Sequence, residues 1–250
     1  MTHTHHAIIL AAGFGSRLQA QEGHKLLAVL ADKPLLDYHL DGFSRLGVST
    51  ITIVTGFRHE ALEAAVEAAC AHSAIRVQTA YNPDFKGSNG LSVLAGIQRA
   101  TADAASGAVP FWLTMADHIF EPAMFDWLAA QPPLPAGTQG ALYVDRKLDS
   151  IFDMPDATKV LLDDRDQLVS IGKEIDPFNV VDVGLFWGDA GFISALEAER
   201  DARGDCSTSD AVRRLSALGQ FAFPDIGRYT WQDVDTPEAR AHAEHLLTTW

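Results

Sequence analysis

Two glycines, an arginine and a lysine follow the first apolar burst of the chain. The stretch "IILAAGFGSRL" runs from Ile8 to Leu18, and a second cation, Lys25, comes shortly after it. Gly13 and Gly15 allow the backbone to approach a bound group closely, and the N–H groups of such a turn donate to an anion. Arg17 adds a planar guanidinium fork and Lys25 a compact charge. The chemistry these types support is the binding of a phosphate-like anion. The plainer alternative is a strand-to-helix turn with two solvated cations. Two other glycine fingerprints do not fit. The sixth position of G-x-G-x-x-G is Leu18, and no acidic residue closes the second strand to hold a ribose. No G-x-x-x-x-G-K-[ST] is present, which excludes a P-loop.

Aspartates elsewhere add charge of the opposite sign. In "FWLTMADHIF", Asp117 stands just past an apolar strand, where an aspartate also serves as a turn former. In "WQDVDTPEA", Asp235 precedes Thr236 and Pro237, a helix start at which capping is its plain role. Asp233 lies two residues earlier and shares a face with Asp235 if the segment is extended. Asp182 interrupts the apolar run "NVVDVGLFWG", and a buried carboxylate is costly unless paired.

The elements that must position these residues alternate. "AIIL", "TITIVTG", "IRVQTA" and "PFWLTM" read as buried strands. Between them "PLLDYHLDGFSRLG", "HEALEAAVEAACA" and "LSVLAGIQRA" read as helices, the first with Pro34 near its start and Gly47 past its end. This alternation predicts parallel βαβ units and a sheet covered by helices on both faces. Ligands of such sheets bind beyond the carboxyl ends of the strands, where the glycine turn falls. From "GALYVDR" to "NVVDVGLFWG" short strand-like pieces follow one another, which predicts an antiparallel or mixed extension. Helices near "AGFISALEAER" and "SDAVRRLSAL", a short strand "FAFP" and a closing helix from Pro237 to about Leu247 complete the chain. "QPPLPAGTQG" is the clearest loop. The expected fold is α/β, with a Rossmann-like, mostly parallel central sheet in a single domain. Its N-terminal half, about 7–130, would bind one reactant and its second half, about 139–250, the other.

Composition narrows the function classes. The 250 residues are 47% hydrophobic, enough for one sizeable core. A formal net charge of −14 disfavours non-specific grip on nucleic acid. No apolar run reaches the roughly 18 residues of a membrane span, and no signal peptide is evident. Two cysteines read as free thiols of a reducing compartment, so a cytoplasmic protein is expected. The histidines of "MTHTHH" read as a frayed terminus, with metal binding as the alternative.

"LAAGFGSRL…KLL" resembles the L-A-A-G-x-G-[ST]-R-[LM]…K-P-[LK] signature of nucleotidyltransferases with the GT-A-like fold; Leu26 stands where most members have proline. The resemblance implies transfer of a nucleotidyl group from an NTP to a phosphorylated small molecule, with release of pyrophosphate. It implies nucleotide contacts from Leu10, Ala11, Ala12, Gly13, Gly15 and Ser16, catalytic charge from Arg17 and Lys25, and Asp117 as a Mg²⁺ ligand. Mg²⁺ typically takes one or two protein carboxylates, phosphate oxygens and water. Asp117 and Asp235 would meet that need, with Asp233 a further candidate. Both reactants are anions, so alignment and charge neutralisation are the main tasks. An ionised acceptor phosphate needs no general base. His118, beside Asp117, is better suited to shaping the site or orienting that ligand.

"NPDFKGSNGLSVLAGI" resembles the base-reading segment of these enzymes, with Asn89 and Ser92 as hydrogen-bonding candidates; a plain helix N-terminus is the alternative. "DATKVLLDD…LVSIGKEI" resembles acceptor-side strands, with Lys159 and Lys173 as phosphate ligands or solvated lysines. Asp182 would grip an acceptor hydroxyl or amine, or pair with Lys159. From Ala7 to about Leu247 the chain is most similar to the CTP:inositol-1-phosphate cytidylyltransferases, with phospho-alcohol cytidylyltransferases such as the phosphocholine enzymes close behind. A separate membrane phosphotransferase would then use the product. The alternatives are a sugar-1-phosphate nucleotidyltransferase using another NTP and a non-catalytic nucleotide-binding regulatory module.

Overall fold

The computed structural model of the protein describes residues 4–14, 24–102 and 110–250. Thirteen strands lie in these segments: β1 (His6–Leu10), β2 (Val29–Leu30), β3 (Lys33–Pro34), β4 (Thr50–Thr55), β5 (Arg76–Tyr81), β6 (Phe111–Met115), β7 (His118–Phe120), β8 (Gly140–Asp145), β9 (Lys159–Leu162), β10 (Leu168–Gly172), β11 (Val180–Gly188), β12 (Phe221–Ala222) and β13 (Trp231–Asp233). The helices are α1 (Leu35–Arg45), α2 (His59–Cys70), α3 (Asn89–Ala102), α4 (Pro122–Ala130), α5 (Ala190–Arg203), α6 (Thr208–Ala217) and α7 (Pro237–Leu247).

β5, β4, β1 and β6 lie side by side and parallel, as βαβ connections require. β11 then runs antiparallel to β6 and β8, and its first residues also pair with β9, which hairpins to β10. The expected mixed extension is therefore present. Alternation along β1 divides the core. Ala7 and Ile9 pack with Phe43 of α1, Leu62 of α2 and Phe125 of α4 on one face. Ile8 packs with Val93 of α3, Phe192 of α5 and Val212 of α6 on the other. A third cluster, including Leu30, Leu35, Ile119, Val234 and Ala243, fastens α7 beneath the cleft.

From Thr4 onward the N-terminal segment departs from the expected fraying, while His3 lies outside the described residues. Trp187 donates from Nε1 to the Thr4 hydroxyl at 3.0 Å, and His6 lies buried in β1 with Nε2 2.9 Å from the Thr52 hydroxyl. Burial, with help from nearby Arg76, pushes the His6 pKa down to about 4. Burial does the same to His39 of α1, to about 4, although its hydrogen bond to the Ala116 carbonyl opposes the shift. Both rings are thus neutral in the folded chain near pH 7. Between the unfolded value of about 6.5 and about 4, the unfolded chain binds more protons. Stability from these sites is full above about pH 6.5 and is lost as pH falls toward 4, by roughly 2–3 kcal/mol per ring. Thermal unfolding at about pH 7.5 and 4.5 should show a lower Tm in acid. A His39→Gln variant should lose part of that pH dependence.

Candidate active site

A cleft of about 870 Å³ opens at the carboxyl ends of β1 and β6. Leu10, Ala11, Ala12 and Gly13 form its wall where β1 ends. The Ala11 N–H is committed to the Val54 carbonyl at 2.9 Å. At Gly13 no atom of the described residues lies within 4 Å of the position of an added Cβ. Gly15, Ser16 and Arg17 lie outside the described residues.

Lys25 begins a single 3₁₀ turn, Lys25–Leu27. Leu26 is buried, so this apolar side chain anchors the turn where the signature has proline. The anchored turn aims the Lys25 ammonium at Asp117, where Nζ donates to Oδ2 at 2.8 Å. Asp117 follows β6. The preceding Ala116 N–H bonds the Leu10 carbonyl, which carries the β1–β6 pairing up to the site. The other Asp117 oxygen, Oδ1, lies 2.9 Å from Nδ1 of His118. A carboxylate only accepts, so Nδ1 carries the proton. Burial alone would raise the Asp117 pKa. The hydrogen bond and charge of His118 and the charge of Lys25 outweigh it and hold the carboxyl well below the usual range. Burial likewise opposes protonation of His118, but Asp117, then Asp233 and Asp182, raise its pKa. Asp117 sits in the turn between β6 and β7, but its carboxylate oxygens go to Lys25 and His118.

β13 brings the C-terminal aspartates alongside. It pairs antiparallel with β7, with Asp233 opposite His118, and Val234 donates its N–H to the Asp117 carbonyl at 2.7 Å. Asp235 is not the cap of α7, because Thr236 accepts from the Ala239 N–H and takes that role. Asp233, Asp235 and Asp156 offer carboxylate oxygens that lie within 4.8 Å of one another. Burial raises the Asp233 pKa, and the charges of Asp235 and Asp117 add to the rise against the pull of His118. Carboxylates this close favour a shared proton or a nearby cation, and the Lys173 ammonium supplies one positive charge at Asp156. An all-oxygen donor set suits a hard divalent ion such as Mg²⁺. Asp117 does not belong to that trio. It faces the same cleft, turned to Lys25 and His118.

Lys173 lines the cleft and donates from Nζ to Asp156 at 2.7 Å. Lys159 does not line it. Its register opposite Val181 puts it on the face away from Asp182, and its ammonium donates to the Lys173 carbonyl at 2.5 Å. The expected Lys159–Asp182 pair is absent for that reason. Asp182 does line the cleft, accepts the Gly184 N–H at 2.7 Å, and is pushed by burial to a pKa of about 6. Asn89 and Ser92 reach the cleft wall with their polar groups already engaged. Asn89 holds the N-terminus of α6 through the Thr208 N–H and hydroxyl, and the Ser92 hydroxyl accepts from Asn82.

Two further aspartates, Asp156 and Asp145, line the cleft without a motif of their own in the sequence. Asp156 opens the acceptor-like stretch "DATKV". Asp145 ends β8 as Asp117 follows β6, and the shared strand-end position was its signal. It is buried and accepts from Lys147 Nζ at 2.7 Å and Trp231 Nε1 at 3.2 Å. It thereby fastens the segment after β8 to the β13 wall.

The mixed sheet, with its cleft at the strand ends, has the GT-A-like fold. Residues 7–146, more than half of the chain, match the MobA-like NTP transferase domain, and the protein belongs to that family. It is similar to a bifunctional IPC transferase and DIPP synthase of Rubrobacter xylanophilus, at 30% identity over 98% of this chain and 52% of the relative. A CMP-5'-(3-aminopropyl)phosphonate synthase of Streptomyces rubellomurinus is 28% identical over 95% of this chain and 38% of the relative. The chain thus spans about half the length, or less, of these curated relatives. In fold it is similar to the inositol-1-phosphate CTP transferase of T. maritima, with a TM-score of 0.79 at 22% identity, covering 98% of this chain and 96% of that one. A UDP-glucose pyrophosphorylase superposes with a TM-score of 0.73 at 14% identity, covering 98% and 99%. Among the described residues no helix is long and apolar enough to cross a membrane.

Proposed function

We propose that the protein is a Mg²⁺-dependent cytidylyltransferase that moves CMP from CTP to a phosphorylated alcohol or polyol, of the inositol-1-phosphate or phosphocholine type, and releases pyrophosphate. The observation that carries this reading is the charge layout of one cleft. Its glycine-bearing strand end and Lys25–Asp117 pair would face the nucleotide, and Asp156, Asp233, Asp235 and Lys173 line the same cleft. The names of the Streptomyces relative, a CMP-phosphonate synthase, and of the T. maritima structure, an inositol-1-phosphate CTP transferase, support cytidine as the nucleoside and a phosphorus-bearing acceptor.

The reaction needs little covalent help. An acceptor phosphate oxygen forms a bond to the α-phosphorus of CTP, and the bond from that phosphorus to the bridging oxygen breaks. The electron pair leaves with pyrophosphate, and no proton must move near neutral pH. Lys25, with Arg17, would neutralise the triphosphate and its developing charge. Asp117 holds the Lys25 ammonium in place at 2.8 Å. Asp233 and Asp235, with Asp117 beside them at the β7–β13 pairing, would hold Mg²⁺, which supplies charge neutralisation and alignment of phosphate oxygens. Lys173 would meet the acceptor phosphate by exchanging its Asp156 partner for it. Asp182 would accept a hydrogen bond from the far end of the acceptor. The product is consumed in this reading by a membrane phosphotransferase, and the enzyme itself would work in the cytoplasm.

A pyrophosphate-release screen tests the assignment. Each of the four NTPs is paired with inositol 1-phosphate, phosphocholine, 2-aminoethylphosphonate and hexose 1-phosphates. Release should require CTP, an acceptor and Mg²⁺ together, and should stop with EDTA. Release with a hexose 1-phosphate and UTP, GTP or dTTP instead would reject the reading.

A further inference from the structure

His118 occupies a slot made for it. Its ring lies nearly parallel to the indole of Trp231, with centroids 5.6 Å apart and planes at 9°. Its opposite edge runs over Gly184, where an added Cβ would stand 2.4 Å from Cδ2 and 2.5 Å from Nε2. Gly184 has a φ of +72°, in the left-handed region that glycine enters without strain. The pairing of β11 with β8 shifts register between Asp182 and Phe186, a bulge that contains this glycine. The Asp182 carboxylate pins the bulge by accepting the Gly184 N–H. The indole face and the glycine bulge, pinned by Asp182, together hold the plane of the ring. In that orientation Nδ1 meets Asp117 Oδ1 at 2.9 Å while Lys25 holds Oδ2.

We infer that His118 is a positioning residue, which fixes the rotamer of Asp117 from a slot formed by Trp231 and the Gly184 bulge. The inference rests on the reading of Asp117 as a ligand of the metal. A carboxylate free to rotate about its Cα–Cβ and Cβ–Cγ bonds would present its lone pairs to the cleft for only part of the time. Hydrogen-bond partners that orient a ligand in this way are typically worth about 10–100-fold in metal affinity or activity. No proton transfer by His118 is required, so only the donor at the Nδ1 position matters.

Two amides separate that donor from the rest of the ring. The Asn side-chain nitrogen reaches the place of Nδ1, and the Gln nitrogen reaches the place of Nε2. His118→Asn should therefore keep most of the wild-type kcat. His118→Gln and His118→Ala should each lose about 10–100-fold in kcat with little change in the KM for the acceptor. Mn²⁺ serves as a spectroscopic probe, titrated by electron paramagnetic resonance with CTP present. Its affinity should fall in the Gln and Ala variants and recover in the Asn variant. Gly184→Ala should behave like His118→Ala because its Cβ expels the ring; circular dichroism checks its fold, and the His118 series decides the matter if it does not fold. Wild-type kcat and Mn²⁺ affinity in all three His118 variants would overturn the inference. So would loss of kcat in His118→Asn equal to that in His118→Ala with unchanged Mn²⁺ affinity, since the ring itself would then act. Asp117→Asn, titrated in parallel, keeps the two readings apart. If it too leaves Mn²⁺ binding and turnover intact, the ligand role of Asp117 fails rather than its positioning by His118.

Discussion

Asp117→Asn is expected to leave the protein folded and to lower kcat by about 10²–10³-fold. The substitution keeps the size of the side chain and exchanges one acceptor for a donor. Both Asp117 oxygens face donors, Lys25 Nζ on one side and His118 Nδ1 on the other. An asparagine amide satisfies one of them and turns its NH₂ group against the other. The lost hydrogen bond to a partly buried donor costs about 1–3 kcal/mol of stability, within what a domain with roughly 5–15 kcal/mol withstands. Activity suffers more, because the negative charge that orders Lys25 is gone and a carboxylate facing the phosphates is lost. The His118 pKa should fall as well, since Asp117 is the partner that raises it. Steady-state kinetics with a thermal melt check this expectation. A residue serving only as a turn former would tolerate asparagine, which forms such turns as readily.

Lys25→Ala is expected to lose turnover on a similar scale, about 10²–10³-fold in kcat, because a charge aimed at the transferring phosphates disappears. Its cost in stability should be near 1 kcal/mol, since the ion pair is partly exposed and Leu26 still anchors the turn. The two substitutions act on one pair. The double variant should therefore lose far less than the product of the single losses. Strictly multiplicative losses would mean that Lys25 and Asp117 act separately. Arg17→Ala belongs in the same series, as the remaining cation of the glycine-rich turn.

The sequence made the parallel half of the fold legible, because βαβ units announce themselves by alternation. Strands β1, β4, β5 and β6 and their helices fall where apolar period and flanking glycine and proline put them. α4 was harder, since "PAMFDWLAA" is short and largely apolar and shows little helical face. The pairing of β7 with β13 was not readable, because it joins two three-residue strands more than a hundred positions apart. That pairing draws the C-terminal aspartates to Asp117, so the meeting of these residues depends on a contact with no local signal. Lys159 illustrates the same limit. Its charge was visible, but its face depends on a register of one residue against β11. Asn89 was visible as a polar group at a helix start, whereas its engagement by Thr208 depends on how α3 meets α6. Asp156 lacked a signal of its own among the many acidic residues of the acceptor half.

The most direct measurement of the central claim is a ³¹P spectrum of the reaction mixture. The purified protein is incubated with CTP, Mg²⁺ and inositol 1-phosphate, and in parallel with phosphocholine. The account predicts that the three CTP resonances and the acceptor monophosphate signal decline together. A pair of mutually coupled diphosphate-diester doublets and a pyrophosphate singlet should replace them in equal molar amounts. Unchanged CTP with both acceptors, or CTP converted only to CDP, CMP and phosphate with no coupled doublets, would contradict it.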